Sequence, residues 1–503
     1  MLKQLVARLR RRLAAEDGAA LIMSVGMSAG LLIAGTTVID VTAANQRSTG
    51  RSEADQKAYA LAEAGLNNAF AVVANPANSP ADSTLLPPRT TPYTTGSATW
   101  SGAYDRANAV WTLSSTGTTR NPAVAGNDRT KTMSARVRVT PVHTSPLAND
   151  AWNYLYTRQA SVGGTCDVSL SANVTVTSPL FVSGNLCLSS RAAVAAGPLV
   201  VKNRVNLLAV DATIGTPAAR IGEAHVGYGC KYASLPWHPD LTSPFCSDVD
   251  HVYVVPGKLD QTIPDVQPPT VLWDTWFRNA APGPFEPCTA SSGLVPVFEN
   301  ETLAPARNAS VPGSFSLTPL SAYSCRVGPA DRPLGELSWD PVTRTLTVNG
   351  TIFLDGSAKV DNGQVNRYAG RGTLYLSGTF LVSTGSKLCA VVAGTDCDFA
   401  AWDPRAADAS ILTVAANGSG GQLPLGMSVQ VGSSSSYQGM LYATSIVQLG
   451  SGAQTQGGMV AWTIFFGSGT RTYPFPELES APTGTPGTQH SFAYANAPED
   501  FSD

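Results

Sequence analysis

The run from Ala19 to Ile39 constrains this chain more than any other stretch. It holds 21 residues and not one charged side chain. As a helix rising about 1.5 Å per residue it spans roughly 30 Å, the thickness of a bilayer's hydrocarbon core. Such a run belongs in a membrane or in the apolar interior of a fibre. Lys3, Arg8, Arg10, Arg11 and Arg12 make residues 1–18 basic, and a basic head stays on the cytoplasmic side while the following segment is sent outward. Three readings compete for this N-terminus: a secretory signal peptide, an uncleaved anchor, and a leader cut ahead of an apolar segment that stays on the mature chain. The run is long for a signal, and no small-x-small site closes it cleanly.

The residues beyond it favour the third reading. Ala54, Ala58, Leu61, Gly65, Ala69 and Val73 recur at steps of three and four, one face of a helix. Glu53 and Lys57 are placed to pair four residues apart on another face. The small residues allow close packing against a second helix or a domain. Asn75-Pro76 ends the pattern, because the residue before proline is driven out of the helical region. One helix over 19–74 is therefore expected, apolar all round in its first half and amphipathic in its second, with Gly50 its weak point.

The basic leader, Glu16-Asp17-Gly18 and then Ala19-Ala20-Leu21-Ile22 resemble the type III leader of type IV pilin-like proteins. Ala62-Glu63-Ala64-Gly65-Leu66 resembles the "AEAGL" motif of the PilX family of minor pilins and pilus-assembly proteins. The resemblance covers the N-terminal region only. It implies that prepilin peptidase cuts between Gly18 and Ala19, and that the helix then packs with other pilin-like subunits in a pilus or pseudopilus, the body lying outside the membrane or at the cell surface. One departure has a consequence. Major pilins carry Glu at the fifth mature position, where it neutralises a neighbour's N-terminal ammonium; here that position is Met23. Its absence suits a minor or tip subunit.

The rest of the chain reads as a polar, β-rich exterior. Only 14% of residues are charged, against about 25% in an ordinary soluble protein. Residues 75–130 are rich in Pro, Thr and Gly and read as a linker or irregular layer. Met133 to Val139 alternates as a half-buried strand. Over 131–220, and again over 336–470, runs of three to five residues such as Leu199-Val-Val201 and Thr373-Leu-Tyr-Leu376 are broken by Gly, Asn or Pro. Short strands with glycine corners suit a parallel β-helix, in which each coil stacks on the next; a β-sandwich of short strands is the alternative. Residues 221–335 break the pattern and read as a Cys/Trp/Pro-rich insertion, and 471–503 as a surface tail.

Eight cysteines, Cys166, Cys187, Cys230, Cys246, Cys288, Cys325, Cys389 and Cys397, all follow the apolar run. An even number beyond an export segment fits disulfides in an oxidising compartment. Pairing between sequence neighbours is the simplest arrangement, and Cys389 with Cys397 the foremost.

Catalytic chemistry has little to stand on. His238, Asp248, Asp250 and His251 are weak metal candidates, because their spacings match none of the compact zinc patterns. The blander reading is a Cys230–Cys246 loop with solvated polar groups. Paired carboxylates of a polysaccharide-cleaving β-helix find their nearest counterpart in Asp355, Lys359, Asp361 and Arg367, which also read as turn and rim residues. No cofactor is implied. With a net charge of -3 and no basic patch interleaved with aromatics, nucleic acid is not an expected partner. The sequence thus points to a non-enzymatic minor pilin-like structural or display subunit that contributes to assembly or to adhesion on a surface or polysaccharide. Two alternatives stay open: a membrane-anchored β-helix enzyme acting on carbohydrate, and a single-pass envelope scaffold that never enters a filament.

Overall fold

A computed structural model of the chain describes residues 2–502 except 77, 79, 81, 106, 121–126, 161–165, 233–245, 272, 274–313, 328, 330, 332, 355–356, 419–425 and 489–492, with only the backbone for 2–22, 314 and 325–327. It consists of a long N-terminal helix, an antiparallel sheet packed on that helix, and a mainly parallel solenoid.

Helix α1 runs unbroken over Leu2–Val73. Its last third lies on a sheet formed by β1 (Arg89–Tyr93), β2 (Gly96–Asp105), β3 (Val110–Thr119) and β4 (Arg129–Pro141), ordered β1-β2-β3-β4 and antiparallel throughout. Ala54, Ala58, Leu61, Ala62, Leu66, Ala69 and Val73 are buried there, opposite Trp111, Leu113, Met133, Ala135 and Val137. The helix-period stripe and the period-two alternation of β4 are thus the two faces of one interface. The packing is close: a Cβ on Gly65 would overlap the Ser115 hydroxyl, and one on Gly117 would overlap the Ala58 carbonyl. Most of 89–119, for which composition suggests a linker or irregular layer, is therefore paired sheet. β4 belongs to this sheet and not to the solenoid. Its outer edge is taken by Ala493–Ala495 and Glu499–Ser502, with Arg138 and Arg136 paired to Glu499 and Asp500.

The solenoid has three faces. A complete rung is Leu180–Val182, Leu186–Leu188 and Ala193–Val194, and the next is Leu199–Val201, Val205–Leu207 and Thr213–Ile214. They stack in parallel register, Leu180 on Leu199, Leu186 on Val205 and Ala193 on Thr213. Inward Val168, Leu170, Val176, Leu180, Val182 and their successors are fully buried, each contributing about 1.5–3 kcal/mol. One corner is a ladder of left-handed residues. Gly385, Ser434, Gly452, Gly469, Asn173 and Arg191 all have φ between 55° and 75°, and the amide of each of the first five donates to a carbonyl in the next rung. Asp211 finishes the ladder by accepting from the Arg191 amide and the Ser190 hydroxyl; the Arg191 amide, with Ser190, holds its carboxyl below the usual range.

The two β-rich regions form one solenoid, stacked out of chain order. The chain enters in the middle at Leu155–Thr157, builds rungs through Cys230–Tyr232 to Leu259–Asp260 at one end, and is next described in the stack at the other end, Ser314–Ser316. From there the rungs run back and close on the entry rung, Met459 on Leu155, Phe466 on Leu170 and Thr472 on Val176. Ala224–Val226 and Cys230–Tyr232 carry the rungs past residue 220.

Two faces are covered by the protein's own chain. Outward on the first is a row that includes Phe353, Tyr375, Tyr442, Tyr156 and Phe181, all buried. The tyrosine hydroxyls donate to the carbonyls of Gly484, Pro269 and Val266, and Trp152 donates to Pro486. The chain from 471 onward is accordingly not a surface tail. Thr472 completes the seam, and Ala481, Thr483 and Thr485 are buried over the aromatic row, their polar groups bonded to Ser145, Thr351 and Thr413. The second covered face carries Gln438 and Gln456, whose amides donate to the carbonyls of Asp398 and Phe399, under a loop closed by Cys389–Cys397. Tyr375→Phe removes the bond to Gly484 and leaves a buried carbonyl short of a donor, which should cost about 1 kcal/mol; denaturant melts of the variant against the parent measure it.

Candidate functional site

The feature with no structural role inside the molecule is the exposed part of α1. Ala54 is the first buried residue among the described side chains of the helix; from Met23 to Glu53 they lie almost wholly in the open. That projection is about 45 Å long. Met23, Leu31, Leu32, Ile33, Val38 and Ile39 are each at least 65% exposed, so the apolar surface has no side turned to a core. Among the described residues, α1 is the helix long and apolar enough to cross a membrane, with a mean hydropathy of 1.5 over its best window and none of that window buried. A helix apolar all round is stable only in lipid or among other helices. Thr36, Thr37 and Thr42 keep their hydroxyls bonded to carbonyls one turn back, so the segment presents no unpaired hydroxyl there to an apolar environment.

Gly18 and Ala19 lie within the helical backbone. In the motif, Ala62, Gly65 and Leu66 face the sheet and Glu63 faces solvent, so these residues fasten the projecting helix to the β-rich head. An open recess between α1 and the start of β4 is lined by Arg51, Asp55, Tyr59 and Lys131, with Arg129 paired to Asp55 at 3.4 Å.

The candidates for chemistry are dispersed into local structural duties. Cys166 is bonded to Cys187 and Cys230 to Cys246; Cys288 lies outside the described residues, and Cys325 is described by its backbone alone. Asp248 pairs with Arg220, whose hydrogen bond holds the carboxyl below its usual range. Asp250 accepts from the Ser247 amide and hydroxyl. His251 sits in a left-handed turn against Tyr232, ring centroids 4.3 Å apart. His238 and Asp355 lie outside the described residues. Among the described residues no three His, Cys, Asp or Glu side chains are grouped to hold a metal. Lys359 pairs with Asp361 at 2.7 Å, and Ser316 donates to the same carboxylate. One pair has no signature in the sequence: His225 Nδ1 lies 2.7 Å from Asp260. The two are outward neighbours on adjacent rungs, a proximity that only the rung register creates.

No protein-family model and no curated protein matches the sequence. Among solved structures the chain is similar to the competence-associated pilin ComZ from Thermus thermophilus, at 12% identity and a TM-score of 0.37, over 89% of this chain and 97% of that one.

Proposed function

We infer that the protein is a non-enzymatic, pilin-like subunit: a minor component of a type IV pilus or related filament, inserted through α1 and displaying the solenoid outside. The supporting observation is the division of α1 into a sheet-bound third and an exposed projection of about 45 Å, uncharged over Met23–Ile39, on which no described residue packs. Such a helix provides both a membrane-held state before assembly and a helix-packed state after it. Met23 in place of a carboxylate favours a minor or terminal position, since a neighbour's N-terminal ammonium would find no partner there. The maturation step belongs to prepilin peptidase, acting between Gly18 and Ala19.

Mass spectrometry of the mature N-terminus tests this reading. The expected product begins at Ala19, with or without N-methylation, and Gly18→Glu leaves the chain at its precursor mass. A mature chain that keeps residues 1–18, or that starts beyond Ile39, favours the plain envelope scaffold or the secreted form instead.

A further inference from the structure

We propose that the third face of the solenoid is a binding face for an extended, uncharged polysaccharide. The other two faces turn their outward polar groups to the protein's own covering chain; among the described residues the five positions below do not. Its outward row over adjacent rungs is Leu381, Gln430, Gln448, Phe465 and Ser169, extending about 19 Å at the strand repeat of about 4.8 Å. Phe465 is 43% exposed, and Trp462, at the corner beside it, is 49% exposed. Ile446, on the rung next to Thr463, lies partly exposed on the same side.

The pairing of groups indicates the occupant. Gln430 and Gln448 stand next to each other in register with side-chain amides that bond no other described residue, whereas Gln438 and Gln456 on the covered face spend theirs on Asp398, Phe399 and Pro474. Each glutamine offers donors and an acceptor. Phe465 and Trp462 offer flat apolar rings beside them, and Trp an N–H. Over these five positions the row carries no ionisable side chain; Lys359 at one border is paired with Asp361, and beyond Ser169 the row passes Cys187 and Asn206 before it reaches Lys231. A cationic or anionic partner would find no counter-charge here. A neutral sugar chain matches on both counts, with hydroxyls for the amides and an apolar ring face for the aromatics. The constant strand repeat presents these groups along a line, which suits a linear polymer. This inference extends the display half of the filament reading and does not depend on it: a chain maturing at Ala19 with a non-binding face would defeat this proposal alone.

Affinity electrophoresis of the full-length protein in detergent micelles tests it, in native gels cast with hydroxyethylcellulose, with dextran, or with double-stranded DNA as the anionic control. Retardation by at least one neutral polymer is expected, unchanged between about 0.1 M and about 1 M salt because no charge pairing is involved. Trp462→Ala with Phe465→Ala should weaken it at least tenfold, and so should Gln430→Ala with Gln448→Ala, a second pair that leaves the aromatics intact. Val342→Ser, at an exposed turn elsewhere, should change nothing. The proposal is overturned by free migration of the parent in both neutral gels, by retardation that survives both paired variants with thermal melts unchanged, or by retardation confined to DNA and abolished by salt.

Discussion

Gly457→Val should be among the most damaging single substitutions in the solenoid. Gly457 turns the chain from one face to the next with φ of 135°, and Gly439, one rung away, does the same with φ of 139°. No side chain with a Cβ adopts that backbone without strain, and such strain costs about 1–3 kcal/mol. The space is closed as well: a Cβ at 457 would overlap the Gly439 carbonyl, whose own residue donates its amide to Gln456. Overpacking adds about 1–3 kcal/mol, and here the obstacle is backbone that cannot rotate aside. A total near 4 kcal/mol lowers the solenoid's melting temperature by about 8 °C or prevents folding outright. Gly222→Ala is the control. That glycine has no neighbour within 4 Å and no left-handed φ, so alanine should be neutral or add up to about 1 kcal/mol by restricting the unfolded chain. Equal melting of Gly457→Val and the parent would mean that the rungs do not turn as described.

The same corners explain how much of the fold was legible. Each short strand repeats inward aliphatics, and most corners of the left-handed ladder are marked by Gly, Asn or Ser, so a solenoid could be read locally from Leu180, Val182, Leu186 and Leu188. The order of rungs could not. Nothing near Leu155 says that its partners are Leu180 on one side and Met459 on the other, because parallel stacking is decided by distant chain with interchangeable Val and Leu. The covered face was hidden for a related reason. A Thr-Gly-Thr-Pro-Gly-Thr segment such as 483–488 has the composition of a surface loop, and it is buried only because the aromatic row and threonines beneath it satisfy its carbonyls and hydroxyls. The candidate site divides likewise. The projecting helix was plain from composition alone, whereas the uncovered face exists only by contrast with two covered ones, and Phe465 has no sequence pattern that sets it apart from Phe466, which points inward.

The alternation from Met133 to Val139 marks one strand of the head sheet, but its neighbours are hard to read because hydropathy is the wrong measure where a helix approaches closely. On β3 the inward positions run Trp111, Leu113, Ser115, Gly117 and Thr119. The last three look polar or breaking, and they are small because the Ala58–Leu66 stretch of α1 lies directly on them. Gly117→Val is therefore the second large effect to expect. Its side chain would enter the space of the Ala58 carbonyl, with the Ala62 amide nitrogen 2.5 Å away. The helix cannot yield locally without breaking its own hydrogen bonds, so it must lift from the sheet, uncovering Leu61, Leu66 and Trp111. A cost of about 3 kcal/mol or more follows from overpacking together with the return of that apolar surface to water. Because the solenoid rungs are stacked independently of the helix–sheet interface, the damage should be regional. Limited proteolysis should open residues 89–141 while Cys166–Cys187 and Cys389–Cys397 stay within protected fragments. If both regions unfold together, helix, sheet and solenoid form one cooperative unit, and the continuity of buried residues from Val73 through Trp111 and Trp152 into Tyr156 would be its physical basis.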